Sequence, residues 1–253
     1  MHGIFFKNFR SEVVTDFGDL IPAIESVYQR VITSKIFLVK EKSFLLMCKQ
    51  LGDGRPIKLF VSGLHGSEHE TTDPILEDYY DRMSEKAFKG TLHICRLGME
   101  NRKYVSTLDS DYWDTKTGKE LLSIVEGLRP SIYTELHSYF DSSKLTDSER
   151  IERKGVPPLV ELEPGILAGS VSPFLRKEAF QREDFCFLLE VPKNADSFDK
   201  VLEILEIIGF GANRKEIVED LKKRYPSQMR RLKKYYELFY KGDLPKSSDS
   251  FYE

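Results

Sequence analysis

Cysteine is scarce. Cys48, Cys95 and Cys186 are an odd number, far apart, each inside an apolar run. That argues against a disulfide framework and predicts three reduced core thiols in a cytoplasmic protein. Long hydrophobic runs are missing too. None approaches the roughly 20 residues that cross a bilayer, and "MHGIFFKNFR" lacks the apolar core of a signal peptide, so no membrane partner is expected. No excess of one charge exists: 38 Lys and Arg stand against 41 Asp and Glu, a formal net charge of −3. Such a balance exerts no global pull on nucleic acid. Internal repeats are absent, and a disordered composition is confined to the tail "KSSDSFYE". Only five histidines occur in 253 residues, which makes their placement informative.

What is present reads as an α/β chain of mixed, mostly parallel sheet with helices on both faces. "IKLFVSG" is a nearly continuous apolar run, the pattern of a strand buried on both sides. "TLHICRLG", "SIYTELHS" and "FCFLLEVP" are three further strands, and "KIFLVKEKSFLLMCKQL" reads as two strands around a charged turn. Helical spacing marks "DLIPAIESVYQRVI", the glycine-free stretch from Glu68 to Phe88 despite Pro74, and segments near 117–128, 171–182 and 196–209. Strands alternating with helices suggest the parallel arrangement. Residues 1–210 are expected to form the α/β domain, 211–242 basic helices packed on it, and 243–253 a flexible tail.

The stretch "FVSGLHGSEHE" leaves one of these strands and places His65 and Glu68 three apart at the start of a helix. Residues so spaced meet on one side, so both can reach one ion, beyond the carboxyl end of a strand where open α/β sheets bind ligands. A polar loop with a first-turn glutamate is the structural alternative. "HGSEH" also matches the inverted zincin pattern, in which His65 and His69 both bind zinc. That pattern needs a regular helix, whereas Gly63 and Gly66 bracket His65 in a turn.

A catalytic zinc takes three protein ligands and keeps a position open for water. His137 ends "SIYTELHS" on the same expected sheet edge and is the leading third ligand. Alternation along the strand puts Glu135 on the face of His137, where its carboxylate can orient the imidazole. "FCFLLEVP" ends with Glu190, a carboxylate closing an apolar strand, and such a group calls for a partner or a function. Proton transfer to and from a metal-activated water would be that function.

In this order, H-x-x-E, then a strand-end histidine, then a strand-end glutamate, the chain resembles the zinc carboxypeptidase superfamily. Within it, the resemblance is to the aspartoacylase and succinylglutamate desuccinylase branch, of which this chain looks like an outlying archaeal member. "GLHGSE", "ELH" and "LLEVP" match that branch's motifs, in a span of roughly residues 55 to 195. The resemblance implies a carboxypeptidase-like fold and one Zn²⁺ held by His65, Glu68 and His137, with Glu190 as general base. It implies a small N-acyl amino acid or peptide-like substrate. The branch holds its substrate's carboxylate with an arginine and an Asn-Arg pair. Here either Arg102 is that first arginine and "DSDYWD" puts Asp111 and Tyr112 in place of the pair, or Asn101 and Arg102 are themselves the pair.

Two other functions stay open. The fold can bind metal without turnover, as the altered "DSDYWD" suggests. The C-terminal helices, with ten Lys or Arg against four Asp or Glu from Gly211 to Lys241 and four interleaved tyrosines, can be a nucleic-acid or partner surface. Tyrosines at helical spacing more simply form a packed face. The glycines of "PGILAGS" suggest a loop over the pocket.

Overall fold

The structure is a computed structural model and describes residues 47–98 and 103–240. The expected helix near Asp19, the first of the two N-terminal strands, the pair Asn101–Arg102 and the tail lie outside the described residues.

Four apolar runs become strands where their composition places them. β1 (Met47–Asp53) is followed by β2 (Ile57–Ser62), helix α1 (His69–Ser84) and β3 (Gly90–Arg96). A 3₁₀ turn (Ser110–Asp114) leads into α2 (Lys116–Leu128) and β4 (Ile132–Tyr139). Two short helices follow, α3 (Ser143–Thr146) and α4 (Arg150–Lys154), then β5 (Val160–Glu163), β6 (Ile166–Gly169) and α5 (Pro173–Glu178). β7 (Phe185–Pro192), α6 (Asp199–Phe210), α7 (Arg214–Arg224) and α8 (Pro226–Tyr240) complete the described residues.

The described strands form one sheet in the order β1-β3-β2-β4-β7-β6-β5. β3, β2, β4 and β7 are mutually parallel; β1 pairs antiparallel with β3, and the β5–β6 pair adds antiparallel to β7. One face, with Phe60, Ile94, Phe187 and Leu189, packs on α1, α6 and α7. The other, with Leu59, Val61, Tyr133 and Cys186, packs on α2, Tyr112 and Trp113. Fully burying a leucine or phenylalanine side chain stabilises by about 1.5–3 kcal/mol, and a sheet covered on both faces gathers that from successive positions. This is why β2 and β7 read as nearly continuous apolar runs instead of alternating ones.

Two expectations are corrected. Cys48 and Cys95 form a disulfide instead of standing as reduced thiols; β1 runs antiparallel to β3 in a register that sets Cys48 directly opposite Cys95. Cys186 alone of the three is free, and buried. "PGILAGS" is not a loop over the pocket: Ile166–Gly169 is strand β6, hydrogen-bonded to β7. Gly169 is needed there for space, because a Cβ at that position would lie 2.4 Å from Leu159 Cδ2.

The basic helices α7 and α8 turn Ile217, Leu221, Met229 and Leu232 into the core, with Tyr225 and Tyr236 buried. Asn213 caps α7 by accepting from the Glu216 amide at 3.0 Å, and Glu216 in return accepts from the Ala212 amide at 2.9 Å. The tyrosine spacing therefore belongs to a packed face. No helix among the described residues is long and apolar enough to cross a membrane.

Candidate metal centre

The sheet reverses its build direction at β2. From β2 the chain moves to β3 on one side, then returns to place β4 on the other, so the crevice beyond the carboxyl ends of β2 and β4 is a topological switch point. His65 and Glu68 leave β2 there, and His137 lies near the end of β4.

The turn carrying His65 is held by close backbone approach. Gly63 has φ +67°, and a Cβ on it would lie 3.0 Å from the Gly98 amide nitrogen, two residues past β3. The Gly63 amide donates to Thr72 Oγ1 at 3.3 Å, and that hydroxyl donates to the Glu68 carbonyl at 2.9 Å. Tyr112 OH donates to the Leu64 carbonyl at 3.0 Å. From the far side, Lys193, just past β7, donates to Ser67 Oγ at 2.8 Å. Helix α1 begins only at His69, so His65 sits in the turn, and His69 lies near Asp73 instead of joining the cluster.

His65, Glu68 and His137 are buried and offer ligand atoms that all lie within 4.8 Å of one another. Glu68 Oε2 is 3.4 Å from His65 Nδ1 and 3.3 Å from His137 Nδ1. None of these three atoms has a hydrogen-bond partner, although each is fully shielded from water. Donors about 2.1 Å from a tetrahedral ion stand about 3.4 Å apart, so these separations fit co-ligands of one ion. The other end of each group is occupied. Glu68 Oε1 accepts from the Ser138 amide at 3.3 Å; His137 Nε2 lies 3.3 Å from Glu135 Oε2, whose second oxygen accepts from Tyr133 OH at 2.9 Å. The carboxylate keeps one imidazole proton on Nε2, so Nδ1 is the nitrogen that an ion would take in exchange for the second proton.

Burial pushes the His65 pKa down to about 4, against the pull of Glu68, so it is neutral at physiological pH. Burial also opposes charge on His137, but Glu68, Glu135 and Glu190 outweigh it and hold its pKa well above the ordinary range. On Glu68 burial is likewise outweighed, by the two histidines and the Ser138 amide, and its pKa is lowered. Among the metal-free groups, the acidic surroundings therefore place a proton on His137 that an ion would displace.

Glu190 sits opposite His137 in the β4–β7 register. Burial, with Glu68 nearby, raises its pKa to about 7 against the opposing charges of His137 and Arg150. It faces a cavity of about 330 Å³ that also exposes His65 and His137. Two residues of this cavity carry no sequence signal that singles them out. Arg150 is buried, lines the cavity, and donates from Nη1 to the Pro157 carbonyl at 2.6 Å. Tyr104, largely exposed, packs its ring edge-on to His65, centroids 4.5 Å apart, and partial desolvation with Glu68 and Glu190 nearby raises its pKa. Asp111 is exposed and Tyr112 braces the Leu64 turn; neither lines the cavity.

Fold and cluster together define a mixed α/β protein with a buried His-Glu-His group able to take a metal ion. Residues 53–241 match DUF2119, described as uncharacterized protein conserved in archaea. The chain is also 40% identical over 176 residues to the uncharacterized protein MJ0501 of Methanocaldococcus jannaschii, covering 68% of this chain and 85% of that one. The protein belongs to this archaeal family. Among solved structures it is similar to a Pseudomonas aeruginosa metallo-carboxypeptidase in complex with (2-guanidinoethylmercapto)succinic acid. That match has TM-score 0.35 and 10% identity, and covers 83% of this chain and 68% of the other. A candidate metallopeptidase of Shewanella denitrificans OS217 matches with TM-score 0.34 and 12% identity, over 82% of this chain and 91% of the other.

Proposed function

We propose that the protein is a zinc-dependent hydrolase of the aspartoacylase-like kind, cleaving the amide bond of a small N-acyl amino acid or peptide-like substrate. The observation that carries this is the convergence of three buried donor atoms without a hydrogen-bond partner, two of them on histidines that line one cavity together with Glu190, a carboxylate of near-neutral pKa. His65, Glu68 and His137 would hold the ion, through the atoms that lack hydrogen-bond partners. When bound, zinc lowers the pKa of water to about 7 and polarises a carbonyl.

The chain's own groups supply the rest. Glu190 accepts a proton from the attacking water and returns it to the leaving nitrogen, so that amide and water become acid and amine. A group of pKa near 7 is matched to both halves of that transfer. Glu135 orients the His137 ring and takes its position from Tyr133. Asn101 and Arg102 are proposed for the substrate side, and Arg150 joins them as a buried guanidinium whose charge acts on the base. Cys186 lines the cavity, but burial pushes its thiol pKa far up and keeps it protonated, so it is wall and not nucleophile.

Calorimetric titration of the metal-free protein with zinc at pH 7, in buffers of different ionisation enthalpy, tests the centre. One ion should bind with net proton release, and N-acyl amino acids should then be hydrolysed. Binding without proton release would refute the protonated His137, and absence of stoichiometric binding would remove the centre altogether.

A further inference from the structure

The cavity in front of the cluster is walled partly by the C-terminal helix, a segment outside the matched catalytic motifs. Leu232, Tyr235 and Tyr236 of α8 line it, with Val171, Leu188 and Leu159 from the sheet side. Leu232 and Tyr236 are buried and Tyr235 is half-buried against the core, so this wall is built and not incidental surface. Gly169 belongs to the same wall, and the absence of a side chain there lets Leu159 close over it.

The cations of the rim are not equivalent. Arg153 is tied to Asp147 at 2.9 Å and Lys154 to Asp109 at 3.3 Å, both toward solvent. Arg150 is buried, anchored by one N–H to the Pro157 carbonyl, and its charge acts on Glu190 inside the cavity. A buried guanidinium with a fork of further donors suits a carboxylate. A volume of about 330 Å³ lies at the small end of ligand pockets, which fits a small molecule and not a folded protein.

We infer that the ligand of this cavity is a small amphipathic acid, with a carboxylate facing Arg150 and an apolar or aromatic group seated against Leu232, Tyr235 and Tyr236 of α8. The inference rests on the hydrolase reading only in placing the amide between these two ends; the cavity itself does not depend on the metal.

The test is calorimetric binding to the metal-free full-length protein, where turnover cannot interfere. The probes are N-acetylglycine, N-phenylacetylglycine and N-acetylphenylalanine, which add a ring on one side of the amide or the other, together with the neutral carboxamides of all three. At least one ring-bearing acid should bind about tenfold tighter than N-acetylglycine, as burial of part of a ring implies. It should also bind about tenfold tighter than its own carboxamide, as loss of a charge-assisted contact implies. Leu232→Trp, which fills the apolar end, and Tyr235→Ala, which strips it with less risk to the core, should each cut the ring's advantage to about twofold or less. Arg150→Gln should erase the preference for acid over carboxamide while carboxamide affinity persists. Equal binding of ring-bearing and ring-free acids, or a ring advantage untouched by Tyr235→Ala, would overturn the inference. If the ring-bearing acid binds as expected and the zinc-loaded protein hydrolyses no acyl amide, the hydrolase proposal falls and the cavity assignment stands. If N-acetylglycine is hydrolysed but no ring is favoured, the reverse holds.

Discussion

Replacing Glu190 by glutamine should have two opposite effects, and their pH dependence is set by the same carboxylate. Its pKa rises from 4.5 to about 7 on folding, with burial as the main cause. Between those values the native protein binds a proton that the unfolded chain has released, so stability falls as pH rises through the window. A shift of about 2.5 units at 1.36 kcal/mol each makes the loss about 3 kcal/mol, complete above pH 7 and absent below pH 4.5. Glutamine keeps the shape and removes the titration. The metal-free variant should therefore be about 2–3 kcal/mol more stable than wild type at pH 8, and the difference should shrink below about 1 kcal/mol at pH 5. For a domain of this size that is about 4–12 °C in Tm. Urea unfolding at both pH values with a chelator present measures it. Turnover of the zinc-loaded variant should fall about 10²–10⁴-fold with metal content intact, the range for loss of a general base. Equal stability differences at pH 5 and pH 8 would refute the desolvated-carboxylate account. Activity near wild type would refute the assignment of Glu190 as base even if the stability prediction held.

His137→Ala should deplete bound zinc to well below one equivalent by elemental analysis, because a three-donor site cannot spare one, whereas Glu190→Gln should retain it. Glu135→Gln should weaken zinc affinity about 10–100-fold in a competitive chelator titration without unfolding the protein, since Tyr133 and the ring remain in place. Gly63→Ala should lower both Tm and zinc affinity, because φ is +67° and the added carbon meets the Gly98 backbone. A variant indistinguishable from wild type would show that the turn bearing His65 is not fixed by that approach.

Strands β2 and β7 were legible because burial on both faces leaves a nearly continuous apolar run, and β3 and β4 because β-branched and aromatic residues recur between turn residues. The cluster was legible for a related reason: parallel strands share a carboxyl edge, so residues at strand ends in "GLHGSE", "ELH" and "LLEVP" are bound to meet. The hairpin β5–β6 was not, since strands of four residues interrupted by Pro164 and Gly165 carry the same composition as a loop. Nor was the Cys48–Cys95 bond, which depends on an antiparallel register that local sequence does not encode. Arg150 sits in "DSERIERKG", where every neighbour suggests a solvated helix; only the fold's return past Pro157 buries it. The contribution of α8 to the cavity is likewise a matter of long-range packing, invisible to helical periodicity.

Both histidines present Nδ1 toward Glu68, while Glu135 engages His137 at Nε2. Nδ1 is the ring nitrogen closer to the main chain, so a donor there swings through a shorter arc for a given torsional wobble. The lever from backbone to ion is short on both sides, and on one it is clamped from behind by a carboxylate that is itself pinned by a tyrosine. The dimensions of such a centre are set by the braced turn that follows β2 and by its seat beside β4 more than by side-chain adjustment. Ions whose preferred bond lengths disagree with those dimensions would have to strain the turn and its Gly63–Gly98 contact, so the stiffness of the scaffold becomes a filter on which metal can be held.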